Sequence, residues 1–208
     1  MSAKLCLFGA GGHGRVVASQ IQVRQPQVEL CFGDGRLTIG NLVNGIPVAF
    51  NAPEQVAGAS LILTLGDNLL RSQMQAKAIA AGVTMGCFIA DPERWFASEP
   101  GAGTMVLAGA IATADARVGD GVIINSGAII EHDCVIGDYC HLAPGCVLVG
   151  GVILGERVFV GAGARIINQA RIAAGTVIGA GATVVSDIDE PGVYVGVPAR
   201  RIGPVANK

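Results

Sequence analysis

In the stretch IEHDCVIGDYCHLAPGCV, residues 130–147, two histidines stand nine residues apart, at His132 and His141, among three cysteines six residues apart, at Cys134, Cys140 and Cys146. Each of these residue types can bind a metal, act as a nucleophile or move a proton. Neutral imidazole, with an unperturbed pKa of about 6.5, is suited to accepting a proton near pH 7. Asp133, adjacent to His132, supplies a carboxylate that would stabilise the imidazolium. The cysteines form no CxxC pair and show none of the Cys/His spacings that zinc sites use, so no metal-ligand set is read here. A period of six is neither the 3.6 of a helix nor the 2 of a strand; the elements that position these residues belong to a longer pattern.

That pattern runs through the second half. Stepping by six from Val106 to Val184 meets fourteen positions, all Val, Ile or Leu except Ala112. Two residues before each lies a second column of small or medium side chains, from Thr104 to Ala182, which includes Cys134, Cys140 and Cys146. Residues two apart on a strand share a face, so both columns should point inward and the residue between them outward. A six-residue unit cannot bury its own apolar face, and successive units must stack into a solenoid. Three short strands then make a coil of about 18 residues, with neighbouring coils about 4.8 Å apart. Glycines following the aliphatic positions, as at Gly119, Gly137, Gly155, Gly161 and Gly179, are expected to supply turns of positive φ. The cysteines become wall residues that act as small hydrophobes. His132 falls at a corner, and His141 is an in-between residue that faces outward.

Composition agrees with such a fold. The 208 residues include 31 glycines and only 4% aromatics, with 51% hydrophobic residues and a formal charge of −2. Tight turns and stacked small aliphatics fit that balance better than a helical bundle does. No basic excess points to nucleic acid. No apolar run approaches the 18 or so residues of a membrane span, and the opening MSAKLCLFGAGG is too short in its apolar part for a signal peptide. Six cysteines without a secretory signal suit free thiols in a reducing cytoplasm.

Residues 1–96 read differently. KLCLF, VELCF, SLILTL and VTMGCF are strand-like, whereas GRVVASQIQ and LLRSQMQAKAIAAG are helical, which gives a small parallel α/β domain. GAGGHG, residues 9–14, follows the first strand as a GxGxxG, with Asp34 twenty residues beyond Gly14. This is the dinucleotide fingerprint and would suit an NAD-dependent oxidoreductase. A full dinucleotide site needs two mononucleotide halves, however, and only one precedes the hexads. One half can still hold a nucleotide diphosphate at a helix N-terminus. The segment FIADPERWFASEPGAGTM, with Trp95, is expected to cap the open end of the solenoid. SDIDEPGVYVGVPARRIGPVANK is expected to form a C-terminal cap with disordered last residues.

GAGGHG, TLGDNLLR (residues 64–71), INSGAIIEHDCVIGDYCHLAP (residues 124–144) and GVPAR (residues 196–200) together make the chain resemble the hexapeptide-repeat acyltransferases. Within them it is similar to the branch of sialic-acid-type sugar O-acetyltransferases and N-acetyltransferases of nucleotide-linked 4-amino-sugars. The resemblance implies a Rossmann-like half domain over 1–96 that binds the nucleotide sugar. It also implies a left-handed parallel β-helix over 97–208 that binds acetyl-CoA as co-substrate. His132 would be the general base and Asp133 its partner. His141, Gly150, Ala162 and Ala180 would contact acetyl-CoA, and Gly11, Gly12, His13, Asp34 and Gly66 the nucleotide-linked amino-sugar.

The activity so implied is N-acetylation of a 4-amino-dideoxy-sugar for surface glycans, with sugar O-acetylation as the alternative. A non-catalytic protein that binds sugar nucleotide is disfavoured by His132 and Asp133. His141 could donate to the developing oxyanion. Nine residues are half a coil, so within one chain His132 and His141 face opposite ways. If both serve one transfer, one must come from a neighbouring subunit, and a homotrimer is the natural closed arrangement.

Overall fold

The computed structural model describes residues 4–205, so the expectation of disordered final residues lies largely outside the described residues. The first part alternates β1 (Lys4–Phe8), α1 (Gly12–Arg24), β2 (Glu29–Gly33), β3 (Leu42–Val43), β4 (Ile46–Phe50), β5 (Ser60–Leu63), α2 (Asn68–Ala80) and β6 (Thr84–Met85). The sheet order is β3-β4-β2-β1-β5-β6. All pairings are parallel except that of β3 with β4. That short hairpin turns at Asn44 and Gly45, both at positive φ, and its strand Ile46–Phe50 alternates buried and exposed residues; the sequence reading missed it. The central strands are near-continuous apolar runs because both faces are covered, and Leu7, Phe32, Leu61, Ile62 and Leu63 are fully buried.

VTMGCF, expected as one strand, is split. Thr84–Met85 closes the α/β sheet against β5, whereas Phe88–Ile89 pairs with Met105–Val106 and so opens the β-helix. Trp95 follows with a bridge to Ala112 and packs on the end of the solenoid core.

From Met105 to Val184 each hexad forms one two-residue strand, fourteen in all. The strands stack in three sheets with a register of 18, as in Ile123 beside His141 beside Phe159. One face holds Met105–Val106, Ile123–Ile124, His141–Leu142, Phe159–Val160 and Val177–Ile178. The second holds Ile111–Ala112, Ile129–Ile130, Val147–Leu148, Arg165–Ile166 and Thr183–Val184, and the third holds Arg117–Val118, Val135–Ile136, Ile153–Leu154 and Arg171–Ile172. Both inward columns are buried, including the three cysteines at 0% exposure. Burial pushes their thiols up, those of Cys140 and Cys146 to about 12, so they are not thiolates at neutral pH. At the far end Val193–Val195 and Arg200–Gly203 continue the first face as the cap.

Two expectations about the coil are corrected. Met105 and Ile123, in-between residues expected to face solvent, are fully buried because the α/β domain packs over the first face and joins them to a core with Val17 and Ile21. The positive-φ residues fall three places past the aliphatic column, at Gly127, Gly145 and Gly163 for example, and not at Gly119, Gly137, Gly155, Gly161 or Gly179. Those five are glycine because the next turn of chain leaves no room: a Cβ at Gly137 would stand 2.7 Å from the Gly155 carbonyl carbon, and one at Gly161 2.5 Å from the Ala180 nitrogen.

Candidate active site

His132 stands at the corner between the second and third faces, beyond Ile130, with its side chain 63% exposed. Asp133 occupies the left-handed turn position of its hexad, φ 61°, a conformation that aspartate tolerates better than most residues. From there its Oδ2 lies 2.7 Å from His132 Nδ1. A carboxylate can only accept, so Nδ1 carries the hydrogen and Nε2 keeps its lone pair. The hydrogen bond to Asp133 raises the imidazole pKa above its ordinary value. Gly150, one coil further on, lies directly beneath the ring: a Cβ there would meet Cε1 and Nε2 at 2.6 Å. Gly150, expected among the acetyl-CoA contacts, thus forms the floor beneath the His132 ring.

His141 lies on the first face, which the α/β domain covers. Asn125 Oδ1 accepts from the Ser126 N–H at 2.9 Å, which turns the Asn125 amide Nδ2 towards His141 Nε2 at 3.3 Å. On the other side His141 Nδ1 faces the Gly66 carbonyl at 3.4 Å. Both contacts require the same tautomer, hydrogen on Nδ1 and lone pair on Nε2. The oxyanion donor expected of His141 is therefore absent from Nε2 in this arrangement. The Phe159 ring packs edge-on with its centroid 5.1 Å away. Burial, with a smaller contribution from the Arg71 charge, lowers the His141 pKa to about 4.

His13 comes from the α/β domain to within 6.1 Å of His141, centroid to centroid. Its pKa is likewise held at about 4 by burial and by Arg71, and its Nε2 is buried without a hydrogen-bond partner. His13 belongs to a cleft of about 650 Å³ that takes in all five residues expected for the sugar nucleotide, Gly11, Gly12, His13, Asp34 and Gly66. The glycines divide by role. Gly14 permits the tight strand-to-helix turn, since a Cβ there would fall 1.9 Å from Gly9 O, whereas a Cβ at Gly11 or Gly12 would meet nothing. A tight turn alone thus explains Gly14 but leaves the space over Gly11 and Gly12, at the start of α1, open to the cleft.

Asp34 is engaged on both oxygens, Oδ2 with the Ala10 N–H at 3.0 Å and Oδ1 with the Arg36 N–H at 2.9 Å, so it ties the ends of β1 and β2 at the cleft rim. Arg36, Asn51 and Lys77 also line the cleft and were not singled out in the sequence. Arg36 could have been, two residues past Asp34 at a strand end. Lys77 reaches the cleft only because α2 lies along it.

Ala162 and Ala180 stack one coil apart at the corner between the first and second faces, with Gly181 N–H donating to Ala162 O at 2.8 Å. They adjoin the His141 face, whereas Gly150 and His132 share the opposite corner. One chain brings His13, Gly66 and His141 together but leaves His132 apart from them.

A parallel β-helix that carries an exposed histidine–carboxylate pair, joined to an α/β domain with a glycine-lined cleft, is an arrangement suited to acyl transfer without a nucleophilic side chain. Residues 4–78 match the PglD N-terminal domain, and residues 115–150 match the bacterial transferase hexapeptide repeat. PerB from Caulobacter crescentus, solved with CoA and GDP-perosamine, is 35% identical over 98% of this chain and 99% of its own, with a TM-score of 0.85. The acetyltransferase domain of PglB from Neisseria gonorrhoeae, solved with acetyl coenzyme A, is 32% identical over 97% of this chain and 100% of its own, with a TM-score of 0.84. No curated protein matches the chain by sequence. The chain belongs to the hexapeptide-repeat acyltransferase family, and its β-helix is the left-handed one of that family.

Proposed function

We propose that the protein transfers acetyl from acetyl-CoA to the 4-amino group of a nucleotide-linked amino-dideoxy-sugar for surface-glycan synthesis, working in the cytoplasm. The observation that carries this reading is the end-to-end similarity to PerB, which was solved with both CoA and GDP-perosamine. Among the described residues no helix is long and apolar enough to cross a membrane.

The cleft over Gly11 and Gly12, with Arg36 and Lys77 at its walls, takes the nucleotide diphosphate through N–H groups and positive charge. The amine attacks the thioester carbonyl while His132 Nε2 accepts its proton. A C–N bond forms, the C–S bond breaks, and the CoA thiolate leaves, to be reprotonated from the imidazolium. Asp133 holds the Nδ1 hydrogen and stabilises the charge that His132 gains. Residues 1–96 hold the sugar nucleotide, and 97–208 hold acetyl-CoA along Ala162 and Ala180. The test is thiol release from acetyl-CoA with a panel of nucleotide-linked amino-sugars and free sialic acid. Turnover with the amine alone is expected; turnover with sialic acid alone would replace this reading with O-acetylation.

The active unit is a homotrimer. His132 lies opposite the His141 face, and Val149, Ile167 and Val185, between 40% and 48% exposed, run as an apolar column beside the His132 corner. A neighbour packed there completes the site. Inactive His132→Ala and His141→Ala chains, mixed after dissociation, should regain activity as hybrids with one intact site. A monomer in solution, or well-mixed hybrids without activity, would refute the shared site.

A further inference from the structure

Helix α2 meets the β-helix through polar side chains, with Arg71 and Gln75 among its buried positions. The Arg71 guanidinium is fully buried, and every hydrogen-bond partner it has is a neutral oxygen. Nη2 donates to the carbonyls of Tyr139 at 2.7 Å and Cys140 at 3.2 Å, the two residues immediately before His141. Nη1 donates at 2.8 Å to the carbonyl of Leu65, the residue before Gly66, whose own carbonyl faces His141 Nδ1. Nε donates at 2.7 Å to the carbonyl of Gly121 in the preceding coil, and Asn68 Oδ1 accepts from Nη2 at 2.9 Å. One guanidinium therefore grips the backbone on both sides of the imidazole.

We infer that Arg71 is a positioning residue of the transfer site, holding the 65–66 turn against the 139–140 backbone so that His141 keeps its hydrogen on Nδ1 and turns its Nε2 lone pair to Asn125. The rigid planar fork is what the task needs. It spans three separate stretches of backbone, whereas a lysine ammonium would offer one point charge on a flexible stem. The same buried cation stands near His13 and His141 and opposes protonation of both. Burial lowers the Arg71 pKa only to about 10, so it stays charged while it does so.

The role rests on the acetyltransferase reading for its kinetic consequence alone, since the state of His141 can be measured without turnover. ¹⁵N-histidine NMR on the native protein, Arg71→Lys and Arg71→Met is the test. The native His141 should show the Nδ1–H tautomer and should not titrate in the neutral range. In both variants it should lose that single tautomer and titrate nearer the ordinary value of about 6.5, with KM for acetyl-CoA raised about tenfold or more and lysine rescuing only in part. A folded Arg71→Met protein whose His141 tautomer and titration are unchanged overturns the assignment. If neither variant folds, the native spectrum still decides, because a His141 that carries its hydrogen on Nε2 or titrates at the ordinary value overturns it equally. Absence of acetyl transfer by the native protein would count against the enzymatic reading and leave the NMR result standing.

Discussion

His132 and His141 are nine residues apart on one repetitive framework, and their surroundings drive them in opposite directions. At the open corner, His132 gains a carboxylate partner and its pKa rises. On the covered face, His141 loses water, faces an amide donor and a buried arginine, and its pKa falls to about 4. The repeat places both side chains outside the wall, His132 at a corner turn beside Asp133 and His141 on a strand of the first face. What differs is the cover: among the described residues none shields the His132 side chain, which is 63% exposed, whereas the α/β domain lies over the first face. The same repeat unit thus yields one imidazole whose pKa is raised and one whose pKa is lowered, according to what surrounds each.

Removing the corner histidine, the proposed general base, should break the contrast most severely. His132→Ala is expected to lower kcat by about 10² to 10⁴ while leaving the KM for acetyl-CoA nearly unchanged. Full turnover by this variant at pH 7 would take His132 out of the mechanism.

The covered face should show itself in acid. His13 and His141 have folded pKa values near 4, against about 6.5 when unfolded. Above pH 6.5 or so both states are neutral and nothing changes. As pH falls below that value the unfolded chain binds protons first, so stability should decline until the folded pKa is reached, by on the order of a few kcal/mol. Denaturant melts in that window should flatten when His141→Gln and His13→Gln are combined; an unchanged acid dependence would contradict the buried neutral pair.

The floor beneath His132 can be raised without touching the base. Gly150→Ala places a Cβ where the imidazole now lies, so kcat should fall by about tenfold, less than for loss of the base, from displacement of the ring. Circular dichroism and thermal melts establish whether the fold survives, and wild-type kcat in a folded variant would show that the ring does not need that floor.

Asp133→Asn should be milder still. In the native protein kcat/KM should rise with pH as His132 loses its proton, with a midpoint above the ordinary histidine value because the Asp133 hydrogen bond raises it. The asparagine variant should move that midpoint downward and lose only part of kcat. An unmoved pH profile would disconnect Asp133 from the base.

The smallest effect belongs to the wall. Cys134→Ala, Cys140→Ala and Cys146→Ala each remove one buried sulfur and should cost about 1 kcal/mol of stability, with activity retained in chemical-denaturation and turnover assays. Loss of activity without loss of stability would give a cysteine a chemical role.

The fourteen strands, the cysteine wall, the His132–Asp133 pair and the glycine turn were legible in the amino-acid sequence, because each depends on residues within one hexad or one strand-to-helix turn. Phase within the hexad was partly misread. Glycine is used there for two reasons, positive φ at the turn and close approach of stacked chain, and composition does not separate them. Only the tertiary structure decided the rest. The contact of His141 with Gly66 spans 75 positions in the chain, Arg71 reaches Cys140 across 69, and Gly150 meets His132 only because coils stack at a spacing of 18. Periodicity dictates which side chains leave the wall, but protonation and partnership depend on what covers them, and the covering domain docks through buried polar groups that no apolar pattern announces.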